Sequence, residues 1–264
     1  MVASLRHAIL VSSALFVVIF CLESLARADR SRYRTRNFLN DVGYALFYQG
    51  GIYNILFYVP LMSILAPRLS VFELGIVTRL PLPSVAVYVL YWLTVDFMGY
   101  WLHRLKHTTR FLWAFHSVHH AQTRLTFLSS HRNHVVDQLI SNIVMFVPLA
   151  LLGVPTEVWM PLYFLQQFNE GVQHSELDWR YGPLYRFLVS PVFHAFHHST
   201  RSEHYTGNYG KILSVWDYAF GTAVAGERPR ACGIEGLDVP ETIQGQLLAP
   251  LQVLRQPDRR AQPA

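Results

Sequence analysis

The stretch DFMGYWLHRLKHTTRFLWAFHSVHH, residues 96–120, decides how this chain is read. Five histidines stand in it at helical spacing among apolar and aromatic residues. Residues three and four apart share one face of an α-helix, so His103 and His107 project together from the end of an apolar helix. In the HxxHH of His116, His119 and His120, adjacent members splay by about 100°, which lets one triplet serve two centres. A second HxxHH follows at His194, His197 and His198, and His174 stands between the blocks. Twelve of the thirteen histidines lie between His103 and His204, a concentration that chance placement does not produce. Imidazole binds Fe, Zn, Cu or Ni. Nine patterned imidazoles exceed the four or so that one zinc takes, so the count points to two metal ions.

The remaining histidines are weaker candidates. His134, between Arg132 and an apolar run, is a tenth possible ligand. His131 and His204 read as polar supporting groups, and His7 lies outside the cluster. Metal-bound imidazoles usually donate their second N–H to an acceptor. Asp96, seven residues before His103, Glu170, four before His174, and Asp217, after Trp216, are the carboxylates expected in that role; Asp137 has an open one.

Only 15% of the 264 residues are charged, against roughly 25% in soluble domains, and this deficit points to a membrane protein. The net charge of +5 comes from arginines flanking apolar runs, which suits anionic headgroups rather than nucleic acid. The two cysteines, Cys21 and Cys232, have no neighbour at metal-ligand spacing. A spanning helix needs about 20 apolar residues. Residues 8–25, 42–65 (with a kink expected at Pro60) and 82–102 meet or approach that length. Residues 139–169, broken by Gly153 and Pro155, read as a hairpin that dips into the membrane and returns, in preference to one kinked span. The expected fold class is an all-α, polytopic membrane helical bundle with a cytoplasmic histidine-rich cap. Residues 1–225 form its membrane domain, and residues 226–264 form a polar, partly disordered tail.

Residues 6–28 also resemble a secretory signal ending at Ala26-Arg27-Ala28. The arginines at 27, 30, 32, 34 and 36 oppose translocation. With those arginines and the basic loop at 103–134 on one side, the histidines face the cytoplasm. The twenty-to-two excess of arginine over lysine suggests a bacterial gene, hence an inner-membrane location.

As a set, DFMGYWLHRLKH, LWAFHSVHH, FHAFHHS and NYGKILSVWDYAFGT resemble the fatty acid hydroxylase and sterol desaturase superfamily of membrane di-iron enzymes, over residues 82–223. The resemblance implies that His103, His107, His116, His119, His120, His174, His194, His197 and His198 hold two irons, with His134 as a further ligand. It departs from the family pattern at Val135, where a proline is usual, and at Glu170, where some relatives carry a histidine. It also implies O2 as cosubstrate and hydroxylation or desaturation of a lipid C–H bond. No flavin, nicotinamide or haem motif is visible, so electrons come from a separate ferredoxin, cytochrome or reductase, for which Arg104 and Arg110 offer a basic docking face. A zinc hydrolase lacks its HExxH, and a non-catalytic metal-binding or transport protein places its ligands within the spans; both are the weaker alternatives.

Overall fold

Helices account for every regular element in the computed structural model, which describes residues 2–26, 29–69, 83–152, 156–237 and 239–256. The only β pairing among them is two isolated bridges, Leu188 with Leu213 and Ser199 with Cys232. In chain order the helices are α1 (Val2–Leu25), α2 (Arg36–Gln49), α3 (Val59–Leu69), α4 (Ser84–Thr108), α5 (Arg110–His120), α6 (Val135–Leu152), α7 (Thr156–His174), α8 (Pro191–His197), α9 (Ser202–Tyr205), α10 (Val215–Ala219) and α11 (Ile243–Arg255). The protein is all-α.

Among the described residues, α4 is the one helix long and apolar enough by itself to cross a membrane. At 25 residues it is about 37 Å long. The second expected span is not continuous. α2 stops at Gly50-Gly51, where Gly51 takes φ +85°, a left-handed conformation that favours glycine. The chain resumes as a π-helical turn at Asn54–Tyr58 that runs into α3, and the two parts meet at 46°. The break therefore falls at the glycine pair rather than at Pro60. The loop expected between the second and third spans lies largely outside the described residues.

α6 and α7 are separate helices on either side of 153–155. Asp137, at the start of α6, and His174, at the end of α7, both reach the histidine cluster. The chain thus leaves that cluster along α6 and comes back along α7, as a hairpin does.

The first helix belongs to this packing. Ile19 is fully buried and joins Ala45 of α2, Phe127, Leu128, Val172 of α7 and Leu177 in one apolar core. Glu23 is buried against Arg32 at 3.3 Å, and Arg32 also meets Glu176 at 2.7 Å. Arg132 ties the loop after α5 to α2 through Asp41 (2.8 Å) and the Asn37 carbonyl (2.6 Å). Single-partner losses at such buried pairs are costly because the survivor stays charged and dry.

The C-terminal stretch, expected as a polar and partly disordered tail, carries one helix, α11. Thr242 caps α11 by accepting from Gly245 N–H at 3.1 Å, and Gln246, Ala249 and Pro250 are buried on one face, which lies against α5. Pro250 and the scattered leucines hid the helical period. At its far end Arg110 donates to the Leu254 and Gln256 carbonyls, each at 2.6 Å. This guanidinium, itself exposed, closes the C-terminus of α11.

Candidate metal centre

The histidines come from four helices that meet at one end of the hairpin. His103 and His107 lie in the last two turns of α4, while His116, His119 and His120 lie on α5. His174 ends α7, His194 and His197 lie on α8, and His198 is its C-cap. α8 is held in register by its start: Ser190 accepts from Phe193 N–H at 3.1 Å, and Pro191 presets the first turn.

All nine patterned histidines are buried and sort into two groups, each with candidate ligand atoms within 4.8 Å of one another. One holds His103, His107, His116, His120 and His197; the other holds His119, His174, His194 and His198. Each HxxHH is divided between the groups. Its i, i+4 pair goes one way and its remaining histidine the other, as a 100° splay between neighbours requires.

In the five-histidine group, acceptors behind the rings select the tautomer. His103 Nδ1 donates to the Tyr209 carbonyl at 3.0 Å, His197 Nδ1 to the Gly207 carbonyl at 2.8 Å, and His116 Nδ1 to Asp137 Oδ2 at 3.1 Å. With the proton on Nδ1, Nε2 carries the lone pair. The Nε2 atoms of His116, His120 and His197 are buried and have no hydrogen-bond partner among the described residues. Buried lone pairs without a donor are costly, and one shared cation satisfies them together.

In the four-histidine group, His174 Nδ1 donates to the Glu170 carbonyl at 2.7 Å. Its Nε2 lone pair then faces His119 Nε2 at 3.2 Å and His194 Nε2 at 3.1 Å, and His198 Nε2 lies 3.1 Å from His194 Nε2. Ligands about 2.1 Å from one ion sit about 3.0 Å apart at right angles and about 3.4 Å apart in a tetrahedron, which brackets this spacing. Burial, followed by mutual repulsion, drives the α5 and α8 histidines His119, His120, His194 and His198 well below the ordinary imidazole value. Burial takes His197 to about 3 despite its bond to Gly207. These rings are neutral at physiological pH and keep their lone pairs. The residues present fit two metal ions.

His134 is not brought into either group. Its Nε2 donates to the Leu247 carbonyl at 3.2 Å, and its Nδ1 accepts from Val136 N–H at 3.1 Å. Both nitrogens are spent on backbone, so this histidine joins α11 to the start of α6 rather than reaching a metal. His131 bonds Gln49 and Ser130, and His204 bonds Ser199.

The expected carboxylates act at a remove. Asp96 accepts from Ile212 N–H (2.8 Å), Leu213 N–H (3.2 Å) and Trp216 Nε1–H (2.8 Å), not from His103. Asp217 accepts from Tyr209 N–H and Gly210 N–H, both at 2.8 Å, and from the Thr222 hydroxyl at 2.7 Å. Together they shape the 207–217 loop that aims the Tyr209 and Gly207 carbonyls at His103 and His197. Asn208 sits at φ +56° and uses its side chain to bond Phe193 and Val224. A Cβ at Gly207 would lie 2.4 Å from the Thr222 carbonyl oxygen, so that position admits only glycine. The Glu170 carboxylate is taken by Lys211 at 2.9 Å and Gln166 at 3.2 Å; only its backbone touches His174.

Among the described residues, the carboxylate that directly meets a histidine is Asp137. It is 2% exposed, and its second oxygen lies 2.9 Å from Lys106 Nζ. Lys106 in turn donates to Ser141 at 2.8 Å. No sequence signal joins Asp137 to His116, because they are 21 residues apart and meet only when α6 packs beside α5.

A helical assembly with two buried polyhistidine clusters defines a class of metalloprotein, and the sequence comparisons say which. Residues 88–222 match the fatty acid hydroxylase family, and the chain belongs to it. The chain is 30% identical over 200 residues to the ornithine lipid hydroxylase OlsE of Rhizobium tropici, covering 74% of this chain and 60% of that protein. It is 35% identical to the alkylglycerol monooxygenase of Danio rerio, over 54% of this chain and 32% of that one. It is 31% identical to methylsterol monooxygenase 1-3 of Arabidopsis thaliana, over 58% and 54%. The chain therefore spans less than two thirds of the length of these relatives. No solved structure matches it.

Proposed function

We propose that this chain is a membrane-embedded, O2-dependent di-iron oxidoreductase that hydroxylates or desaturates a C–H bond of a membrane lipid. The observation that carries the reading is the pair of dry histidine groups, five and four strong, whose lone-pair nitrogens converge. Five imidazoles exceed what zinc takes, and iron accepts a larger histidine shell. Relatives named for ornithine lipid, alkylglycerol and methylsterol support an amphipathic lipid substrate.

His103, His107, His116, His120 and His197 hold one iron, and His119, His174, His194 and His198 hold the other. Bound iron supplies O2 activation and attack on an unreactive carbon. Hydroxylation consumes the lipid, O2, two electrons and two protons, and yields the alcohol and one water. Desaturation consumes the same co-reactants and yields the alkene and two waters. Carbonyls of Gly207, Tyr209 and Glu170, with the Asp137 carboxylate, orient ligand rings and raise their basicity. The apolar helices keep water away from the reacting carbon. The electrons come from a separate ferredoxin, cytochrome or reductase.

The placement proposed is polytopic, with the histidine end at the cytoplasmic face of a bacterial inner membrane; exposed apolar residues on several helices support its membrane part. Val17, Leu46, Ile55 and Val85 are all more than half exposed, a surface suited to lipid. The arginines near residues 30–36 and 104–132 share the side of the histidines. The test is iron analysis combined with O2 uptake by the purified protein, given a reductant and membrane lipid extract. Two irons per chain and a product heavier by one oxygen or lighter by two hydrogens are expected. Stable zinc with hydrolysis of the lipid would overturn the proposal.

A further inference from the structure

Away from the histidines, α4 and α6 enclose a groove of about 360 Å³, lined by Phe97, Met98, Trp101, Leu105, Thr108 and Val144, with Arg104 in its wall. The walls are apolar and open outward: Phe97 is 37%, Trp101 41% and Leu105 51% exposed. Arg104 is the exception to this chemistry. Its Nη1 donates to the Tyr100 hydroxyl at 3.2 Å, and its guanidinium lies 5.3 Å from the Trp101 ring centre. Both partners are neutral. No carboxylate lies within ion-pair distance of it among the described residues. Asp217 is close enough to feel the charge, but its oxygens already take three hydrogen bonds. Nε and Nη2 of Arg104 have no protein acceptor among the described residues. An arginine fork offers two parallel donors that match a phosphate or carboxylate, and here it stands over an apolar trough beside an interfacial tryptophan.

The geometry points to a binding site for an anionic phospholipid: the headgroup phosphate pairs with Arg104, and an acyl chain lies along Phe97, Met98, Trp101 and Leu105 against Val144. This occupant is not the substrate of the reaction proposed above. Arg104 and Leu105 project from a different face of α4 than His103 and His107, so the helix stands between the groove and the histidine groups. The lipid would instead wedge α4 against α6, the two helices that carry His103, His107 and Asp137. The inference rests on the membrane placement proposed above and not on the reaction, so it is tested by lipid retention and not by turnover.

The experiment is native mass spectrometry of the full chain in detergent, titrated with phosphatidylglycerol or with diacylglycerol of the same acyl composition, which lacks the phosphate. Wild type retains phosphatidylglycerol about tenfold better, the scale of one charge-assisted pair. Arg104→Gln abolishes that preference. Val144→Trp fills the trough and weakens retention of phosphatidylglycerol although Arg104 is intact. Thermal unfolding midpoints in detergent matching wild type show that both variants are folded. Equal retention of the two lipids by wild type overturns the inference, as does unchanged preference in Arg104→Gln. Displacement of the lipid by millimolar inorganic phosphate overturns the assignment of a lipid as the occupant.

Discussion

Replacing Asp137 by Asn separates two roles of one carboxylate. Asp137 bridges Lys106 (2.9 Å) and His116 (3.1 Å) inside the fold, and Lys106 and Asp137 side chains are 10% and 2% exposed. Removing one partner of a buried pair strands the other charge, at a cost of about 3–5 kcal/mol. The amide of Asn still offers an oxygen, and Lys106 keeps Ser141 at 2.8 Å, so the expected destabilisation falls near about 3 kcal/mol. The second role is to hold the His116 ring with its lone pair inward. Loss of such an outer partner typically lowers metal affinity about 10–100-fold, or about 1.4–2.8 kcal/mol. A double-mutant cycle tells the two apart. Lys106→Met combined with Asp137→Asn removes the stranded ammonium, so the unfolding midpoint recovers while iron affinity does not. The assays are thermal unfolding in detergent and competitive iron titration against a chelator. Wild-type iron affinity in Asp137→Asn refutes the positioning role.

The remaining predictions follow from the same geometry. His119→Ala and His197→Ala strike different groups; each abolishes turnover and lowers iron content measured by plasma mass spectrometry, and full activity in either breaks the ligand assignment. His134→Ala keeps two irons per chain, because both of its nitrogens serve backbone atoms; a loss of iron with an unchanged unfolding midpoint would restore it as a ligand. Ile19→Ala costs about 2–5 kcal/mol, since the side chain is fully buried against α7. A purified protein whose first residue lies beyond Leu25 would show instead that α1 is a removed leader.

Some of this protein was legible in the order of its residues. Helical spacing at 3 and 4 residues is a local property, so the division of each HxxHH between two centres followed from the 100° step of the helix alone. The apolar composition announced helices in the same local way, while the break expected at Gly153 and Pro155 lies outside the described residues. The partners of the ligands were not legible. Asp96 shares a helical face with His103, yet it bonds the 212–216 backbone, because being on the same face does not tell which element packs there. Asp137 reaches His116, and His134 is drawn to Leu247, only when α6 and α11 settle on α5. The tail helix was concealed by Pro250 and takes its register from burial against α5 rather than from intrinsic period. Sequence alone determined which side chains could bind metal, since periodicity is written into consecutive residues. Tertiary structure decided which of them do meet and what stands behind each ring, since hydrogen-bond partners dozens of residues away are chosen by packing.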